Sequence, residues 1–293
     1  MSIQHLIRGR ERSIDGFAVR RVLPSAARHM VGPFIFFDHM GPAGLAPGGG
    51  LDVRPHPHIA LATVTYLYTG SLTHRDSLGF VQEIRPGDVN WMTAGRGIVH
   101  SERSPDAERA RGAHLHGIQS WVALPDGHED DEPAFHHHPA ATLPALSAQG
   151  VELRIIAGEA FGRRSPVHTL WPTFYVDVAM PAGSAIDVPP DHTERAIYVA
   201  EGEIELFGER CGSGTLAILE TGEDVPIRAT HTARLMLLGG ERFPTPRLIW
   251  WNFVSSTRER MERAKRDWAE QRFGRVPGET ELIPLPAETP QTF

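Results

Sequence analysis

Two pairs of residues in the first half of the chain have the types and the spacing of a metal site. His56 and His58 form one pair, and His100 and Glu102 form the other. Side chains two residues apart lie on the same face of a β-strand, so two adjacent strands would direct three imidazoles and one carboxylate to one point. This donor set suits one divalent metal, such as Fe(II), Mn(II), Cu(II), Ni(II) or Zn(II), and leaves coordination positions free for small molecules.

The elements that must position these pairs are predicted to be short β-strands. Glycine and proline are frequent, and the apolar runs between them are short and rich in Val, Ile, Leu and aromatic residues. We predict strands at 34–37, 62–68, 118–124, 151–156, 174–179, 197–200 and 235–238. Regular turn signals between such strands are typical of a sandwich or barrel, so the chain is assigned to the all-β class.

The two halves of the chain resemble each other weakly. Tyr66 and Gly70 have the same spacing as Tyr198 and Gly202. At that offset, and with a shorter later loop, the second half has residues without metal-binding groups at all four candidate ligand positions. In the order of the ligands given above, these residues are Val188, Pro190, Ile227 and Ala229. The duplication therefore predicts two similar domains but only one metal.

We divide the sequence into an N-terminal metal-binding domain, residues 1–130, and a C-terminal domain without metal ligands, residues 131–293. The stretch 127–150 contains an acidic run and three successive histidines, and we interpret it as a linker between the halves. Successive side chains of a flexible linker point in different directions, so we assign no metal site to the histidines at 136–138.

One amphipathic helix is predicted near the end of the chain. Ser256 and Glu259 have the spacing of a capping box, and Met261, Ala264 and Trp268 then fall on one face. Arginine and lysine dominate the opposite face. We therefore expect the C-terminal domain to end in a helix that packs against a barrel.

The composition limits the class of function. The chain has 293 residues and a net charge of −7 at pH 7, which argues against a general nucleic-acid-binding protein. No apolar run approaches the length of a membrane span, and the first residues lack the apolar segment of a signal peptide. The single cysteine, Cys211, excludes an intrachain disulfide, and we predict a cytoplasmic location.

A longer sequence pattern surrounds the two candidate pairs. Gly50, His56 and His58, with Gly70 after the following strand, resemble the first motif of the cupins. The stretch 87–102, Gly-Asp-Val-Asn-Trp-Met-Thr-Ala-Gly-Arg-Gly-Ile-Val-His-Ser-Glu, is very similar to the signature of the pirin family. The resemblance covers most of the chain and is strongest over residues 16–124.

The resemblance to pirins implies a bicupin, in which two double-stranded β-helix barrels are stacked face to face and the N-terminal barrel holds one metal. It implies Fe(II), with Mn, Cu, Ni, Co or Zn as alternatives, bound by His56, His58, His100 and Glu102. Glu102 is then also the candidate catalytic residue. Many cupins and pirins have a glutamate shortly after the second histidine, where this chain has Ala62-Thr63. An acid or base role at that position is therefore not expected.

Two functions are compatible with this resemblance. Some pirins have been associated with quercetin 2,3-dioxygenase activity, which implies a flavonol-like aromatic substrate and O2, with the metal as Lewis acid and template. Other pirins act as transcriptional coregulators or bind metabolic enzymes, which implies a non-enzymatic, metal-dependent regulatory protein with a protein partner. For that alternative, the acidic run at 129–132 and the terminal helix are the candidate surfaces.

Further histidines lie near the candidate ligands in sequence. His114 and His116 repeat the alternating pattern on the next predicted strand, either in a pocket wall or in the core, and we do not predict them as ligands. His74 and Asp76 come where a strand is predicted to end. We interpret these two residues as a solvated turn.

Overall fold

The structure, a computed structural model, describes residues 2–287 and consists mainly of β-strands. Its first elements are β1 (Ile3–Arg8), β2 (Arg10–Ile14), β3 (Phe17–Leu23), β4 (Phe34–Gly44), β5 (Asp52–His58), β6 (Leu61–Thr69), β7 (Leu72–Asp76), β8 (Val81–Ile84), β9 (Val89–Thr93), β10 (Ile98–Arg103), α1 (Asp106–Arg111), β11 (His114–Ala123) and β12 (Ala134–His138). After a 3-10 turn at Ala140–Thr142 follow β13 (Ala145–Ala148), β14 (Val151–Ala160), β15 (Arg163–Arg164), β16 (Thr173–Met180), β17 (Ala185–Val188), β18 (Glu194–Glu201), β19 (Glu203–Leu206), β20 (Glu209–Gly212), β21 (Thr215–Leu219), β22 (Val225–Ala229), β23 (Ala233–Gly240), β24 (Leu248–Trp250), β25 (Phe253–Ser255) and α2 (Arg258–Ala269). The predicted all-β class is confirmed.

The described residues form two compact units that exchange segments along the chain. The first, which we call the histidine barrel, consists of residues 12–19, 40–140 and 244–287. The second, the apolar barrel, consists of residues 2–11, 20–39 and 141–243. These units differ from the predicted division into 1–130 and 131–293, because β1 belongs to the later unit and α2 to the earlier one. As a division of the sequence, that boundary stays a prediction.

The apolar barrel is built from two antiparallel sheets. The larger has the strand order β1-β21-β18-β23-β16-β14-β13, and the smaller has the order β17-β22-β19-β20. β1 joins the edge of the larger sheet, with Leu6 opposite Ala217. Alternate residues of both sheets point inward, and aliphatic side chains such as Ile197, Ile227 and Leu235 form one continuous buried core. The interior of this unit is therefore packed with hydrocarbon.

The histidine barrel also contains two antiparallel sheets. Its smaller sheet has the order β5-β10-β7-β8, and its larger sheet includes β12, β9, β6 and β11 in that order. One apolar cluster of this unit includes Leu67, Leu72 and Leu115. Another includes Met92 and, from β12, Phe135. The candidate ligand strands β5 and β10 thus lie side by side in the smaller sheet.

The predicted linker at 127–150 contains the division between the two units, after Ala140, but it is not an irregular segment. It contains β12, which pairs with β9, and β13, which pairs with β14. Phe135 is buried with Met92. This contact stabilises a strand in a segment whose sequence is mostly polar. His136 and His137 are ladder residues opposite Trp91 and Asn90, not parts of a flexible segment.

The predicted terminal helix is present as α2, and it packs on the histidine barrel. Met261, Ala264 and Trp268 are buried in one cluster with Ile59 and Val99, as the amphipathic pattern requires. The N-cap is Thr257, whose hydroxyl accepts a hydrogen bond from the Arg260 backbone N–H, so the predicted cap at Ser256 is wrong by one residue. Among the described residues, no helix combines the length and the apolar character needed to cross a membrane.

Candidate metal centre

The structure brings three of the four predicted ligands together. β5 and β10 are antiparallel neighbours with His56 opposite His100. One ring nitrogen from each of His56, His58 and His100 lies within 4.8 Å of the other two, and the Nε2 atoms of His58 and His100 are 3.1 Å apart. All three side chains are buried. The alternation of side chains along the two strands thus produces the predicted convergence.

Two of the three imidazoles are oriented by backbone carbonyls. His56 Nδ1 lies 2.9 Å from the Arg54 carbonyl oxygen, and His58 Nδ1 lies 3.0 Å from the Asn252 carbonyl oxygen. A carbonyl only accepts hydrogen bonds, so each Nδ1 carries the proton and donates it. The unprotonated Nε2 of each ring is then the nitrogen available to a metal.

His100 has side-chain neighbours instead. Its Nδ1 lies 3.4 Å from Nδ1 of His74, and His74 Nε2 lies 2.9 Å from Oδ2 of Asp76. His74 and Asp76 are both buried, so their interpretation as a solvated turn is wrong. The available sequence signal was their two-residue spacing, which places both side chains on the face of β7 that points to the site. The pairing of β7 with β10 could not be read from the sequence.

Burial keeps the three clustered imidazoles uncharged. Desolvation lowers the pKa of His56 to about 4, and it lowers the pKa values of His58 and His100 well below the ordinary value. At neutral pH each ring therefore has a lone pair to offer. Three neutral nitrogen donors in a buried cluster suit a divalent transition metal, so the residues fit the metal that the resemblance implies.

Glu102, the fourth predicted ligand, is not part of the three-histidine group. The register of β5 and β10 shifts between His100 and Glu102, and such irregularities re-aim side chains. The half-buried Glu102 carboxylate lies 3.2 Å from the hydroxyl oxygen of Thr65, and that oxygen also lies 2.8 Å from Oε1 of Gln119. Burial raises the pKa of Glu102. Its roles as ligand and catalytic residue stay predictions.

The turn between β9 and β10 requires glycine. Gly95 has a φ of +51°, and a Cβ atom at this position would lie 1.9 Å from the Asp131 carbonyl oxygen. The turn is closed by a hydrogen bond from the Gly97 N–H to the Ala94 carbonyl at 2.9 Å. This close backbone path starts β10 in the register that places His100 opposite His56.

Aromatic and histidine neighbours line the surroundings of the cluster. Trp121 presents its ring to His58 at a centroid distance of 5.0 Å and an interplanar angle of 73°. His116, whose role the sequence left open, is buried against Tyr68 at 4.7 Å, while His114 is exposed. Neither His114 nor His116 belongs to the three-histidine group.

The apolar barrel has aliphatic residues at the corresponding positions. Its smaller sheet has the same strand arrangement, with Val188 opposite Val225 where the histidine barrel has His56 opposite His100. The predicted match of Val188 to His56 agrees with this register. The match of Ile227 to His100 is wrong by two residues, because Val188 pairs with Val225 and not with Ile227.

The sequence matches two protein-family profiles. The profile of the pirin family matches residues 16–122, which include the three clustered histidines and Glu102. The profile of the pirin C-terminal cupin domain matches residues 175–274. Together the two matches span more than half of the chain.

Known proteins are similar over nearly the whole chain. A pirin-like protein of Caulobacter vibrioides is 47% identical over 282 residues, which cover 94% of this chain and 97% of that protein. A Pseudomonas aeruginosa protein, named as a candidate quercetin 2,3-dioxygenase, is 43% identical over 265 residues, covering 89% and 82%. The crystal structure of quercetin 2,3-dioxygenase from Acinetobacter baumannii superposes with a TM-score of 0.91 at 35% identity, covering 99% of this chain and 97% of that one. The chain therefore belongs to the pirin family and contains both of its cupin domains.

Proposed function

We propose that the protein is a metal-dependent dioxygenase of the quercetin 2,3-dioxygenase type, which cleaves a flavonol-like aromatic substrate with O2. The observation that carries this proposal is the convergence of three buried, uncharged imidazoles. Three protein nitrogens leave coordination positions for the oxygen atoms of a chelating substrate and for O2. The similar proteins named as quercetin dioxygenases support the same substrate class.

The metal that we propose is Fe(II), one per chain, with Mn, Cu, Ni, Co or Zn as alternatives compatible with nitrogen and oxygen donors. When bound, it supplies Lewis acidity, which lowers the pKa of a flavonol hydroxyl, and a template for substrate and O2. His56, His58 and His100 would hold it through Nε2. The cytoplasmic location predicted from the single cysteine would keep iron in its ferrous state.

We assign to Glu102 the removal of the flavonol hydroxyl proton, with a place as fourth ligand as the other role for the same carboxylate. The Thr65 hydroxyl holds this carboxylate 3.2 Å away, beside Gln119. A base must reach the proton that it removes, and the assignment is supported by the position of Glu102 on β10, two residues after His100. For quercetin, the overall reaction joins both atoms of O2 to the substrate and releases carbon monoxide and a depside.

The test is loss of the flavonol absorbance in air. Metal-free protein is loaded with each of Fe(II), Mn(II), Co(II), Ni(II), Cu(II) and Zn(II), and absorbance, oxygen uptake and carbon monoxide release are followed together. We expect bleaching with one or more metals, and its loss in His58→Phe. His192→Gln, a histidine of the apolar barrel, is the matched control and should retain activity. No bleaching with any of these metals would overturn the enzymatic proposal.

The regulatory alternative keeps only part of the acidic run as a candidate surface. Glu129 is buried and accepts hydrogen bonds from the Ser256 backbone N–H at 2.7 Å and hydroxyl at 3.0 Å. Asp130 pairs with Arg260 and Arg263 of α2 but is exposed, as is Glu132. A partner that co-purifies with wild-type protein but not with His56→Ala would favour the alternative nonetheless.

A further inference from the structure

We propose that Asp76 and His74 form a relay that fixes the orientation and the tautomer of His100, so that its Nε2 is free to bind the metal. This inference rests on the proposed metal centre. It assigns a positioning role to two residues that touch neither the metal nor the substrate.

The relay is a chain of three side chains. Asp76 Oδ2 lies 2.9 Å from His74 Nε2, and His74 Nδ1 lies 3.4 Å from His100 Nδ1. The other oxygen, Oδ1, accepts the backbone N–H groups of Leu78 at 2.9 Å and Phe80 at 3.1 Å. The Asp76 carboxylate is therefore held on both sides, and its direction toward His74 is fixed.

The direction of the hydrogen bonds follows from the carboxylate. An ionised carboxylate only accepts, so His74 Nε2 carries a proton and donates it to Asp76. In a neutral imidazole the other nitrogen is then an acceptor, which leaves His74 Nδ1 to accept from His100 Nδ1–H. His100 consequently presents an unprotonated Nε2 toward His58. The relay selects the tautomer that a metal needs.

His100 is the ligand that requires such a relay. His56 and His58 donate to the carbonyls of Arg54 and Asn252, which are fixed by the backbone. The neighbour of His100 at the same ring position is another imidazole, which can either donate or accept. Asp76 removes that ambiguity.

The plane of the His74 ring is fixed by packing. Its ring stacks on Phe135 at a centroid distance of 4.3 Å and an interplanar angle of 12°. Phe135 belongs to the apolar cluster of Met92, Ala94 and Ile98, so β12 supports the relay from the opposite sheet. A buried histidine held by a carboxylate and by an aromatic ring has little freedom to turn.

The strand register shows what corresponds to the relay in the other barrel. In the histidine barrel, β7 pairs with β10, with Asp76 opposite His100 and His74 opposite Glu102. In the apolar barrel, β19 pairs with β22 in the same way, with Ile204 opposite Ala229. Gly70 lies two residues before Leu72, and Gly202 lies two residues before Ile204, so Ile204 occupies the position of Leu72.

Two residues further along β19, Leu206 occupies the position of His74, and β19 ends there, before the position of Asp76. Leu206 is fully buried in the aliphatic core. The apolar barrel therefore has hydrocarbon at the position of His74 as well as at the positions of His56 and His100. This shared difference is expected if the ligands and the relay serve one site.

The test is Asp76→Asn, which keeps the size of the side chain and the oxygen that accepts from Leu78 and Phe80. Its amide N–H2 would donate to His74 Nε2 and reverse the chain, so that the proton of His100 moves to Nε2 and blocks the metal. We expect the dissociation constant for Co(II), measured by competition with a chelator, to rise about 10- to 100-fold. The visible spectrum of bound Co(II) should change as well.

A second variant separates the relay from a structural role. His74→Phe retains the stack on Phe135 but interrupts the chain, so adding Asp76→Asn to it should produce no further loss of Co(II) affinity. Asp88→Asn is the matched control, because Asp88 also accepts backbone N–H groups, those of Arg85 and Ala140, in the same barrel. It should bind Co(II) like the wild type.

Three outcomes would contradict these claims, and they are distinguishable. Wild-type protein that binds no Co(II) would overturn the metal centre itself. Wild-type binding that Asp76→Asn leaves unchanged would overturn only the relay. An equal loss from Asp76→Asn with and without His74→Phe would also overturn the relay, because Asp76 would then act through the turn alone.

Discussion

The two barrels have the same arrangement of strands in their smaller sheets but opposite interiors. In the histidine barrel, His56 and His100 face each other across β5 and β10. In the apolar barrel, Val188 and Val225 occupy that pair of positions across β17 and β22. One sequence thus contains a barrel with a polar centre and a barrel with a hydrocarbon centre on similar frames.

This difference shows that the same arrangement of strands forms around polar or around aliphatic interior side chains. Aliphatic side chains from both sheets form one core in the apolar barrel. The histidine barrel instead divides its apolar residues among separate clusters, one of which contains the buried face of α2. Burial at those clusters compensates for the imidazoles, which contribute little apolar area. Function therefore resides in a few interior positions and not in the fold itself.

The largest expected effect comes from giving the histidine barrel an aliphatic centre like that of the apolar one. The triple variant His56→Val, His58→Val and His100→Val should bind no metal, and elemental analysis should show a fall from one metal per chain to none. The metal-free variant should be at least as stable as the metal-free wild type in urea, because apolar replacement of a whole buried polar group is often neutral or stabilising.

The matched control for this exchange is Ile227→Val in the apolar barrel, which should retain one metal per chain. Metal retained by the triple variant would contradict the account, since the metal would then bind elsewhere. A variant that fails to fold would contradict the claim that the frame tolerates either interior.

The second comparison is truncation of one interior residue on the matched strand of each barrel, β22 and β10. Ile227→Ala should lower the free energy of unfolding by about 2–5 kcal/mol, because it leaves a cavity in a close-packed aliphatic core. His100→Ala in metal-free protein should cost less, because His100 contacts other imidazoles that ordinarily prefer water. Urea unfolding of both variants gives the two values, and equal losses would contradict the contrast between the interiors.

The third prediction concerns protection by metal. With free Co(II) at 100 times its dissociation constant, the histidine barrel should gain about 2.7 kcal/mol of stability. Amide hydrogen exchange should then slow by up to about 100-fold in β5 and β10, and it should stay unchanged in β17 and β22. Equal slowing in both barrels would show that the metal effect is not local to the three histidines.

The smallest expected effect concerns a contact on the strand of His100. Glu279 accepts hydrogen bonds from Arg103 and from Ser101 of β10, and the bond from Arg103 is the main cause of its lowered pKa. A lowered pKa in the folded state stabilises the protein above the ordinary pKa of 4.5 and loses this contribution as the pH falls. Glu279→Gln should therefore cost about 1 kcal/mol at pH 7.

As the pH falls below 4.5 and through the lowered pKa of the folded state, the same variant and the wild type should approach equal stability in this respect, because the wild-type carboxyl becomes protonated. Urea unfolding at a series of pH values measures the difference. A constant difference from pH 7 to pH 3 would show that Glu279 acts through packing and not through its charge. Glu205→Gln, at an exposed site in the apolar barrel, is the control.

The sequence predicted what depends on local spacing. The alternation of His56 with His58 places both on one strand face, and the 3-4 spacing of Met261, Ala264 and Trp268 defines the buried face of α2. Both predictions follow from the geometry of a single element. The loss of ligands in the second half was visible for the same reason. One strand of that half has few residues that fix its alignment, so its match to the first half was wrong by two positions.

Long-range pairing was not predictable from the sequence. The role of His74 depends on the pairing of β7 with β10 and on the stack with Phe135, which is distant in sequence. The segment of Phe135 looked like a linker because its neighbours are acidic residues and histidines. The exchange of β1 and α2 between the units depends on contacts that no local pattern contains.

The most direct test of the central claim is anomalous diffraction from crystals grown with Co(II). The account predicts one strong peak per chain, about 2.0–2.1 Å from the Nε2 atoms of His56, His58 and His100. A peak at the histidines of β12, a second peak inside the apolar barrel, or no peak between the three imidazoles would contradict it.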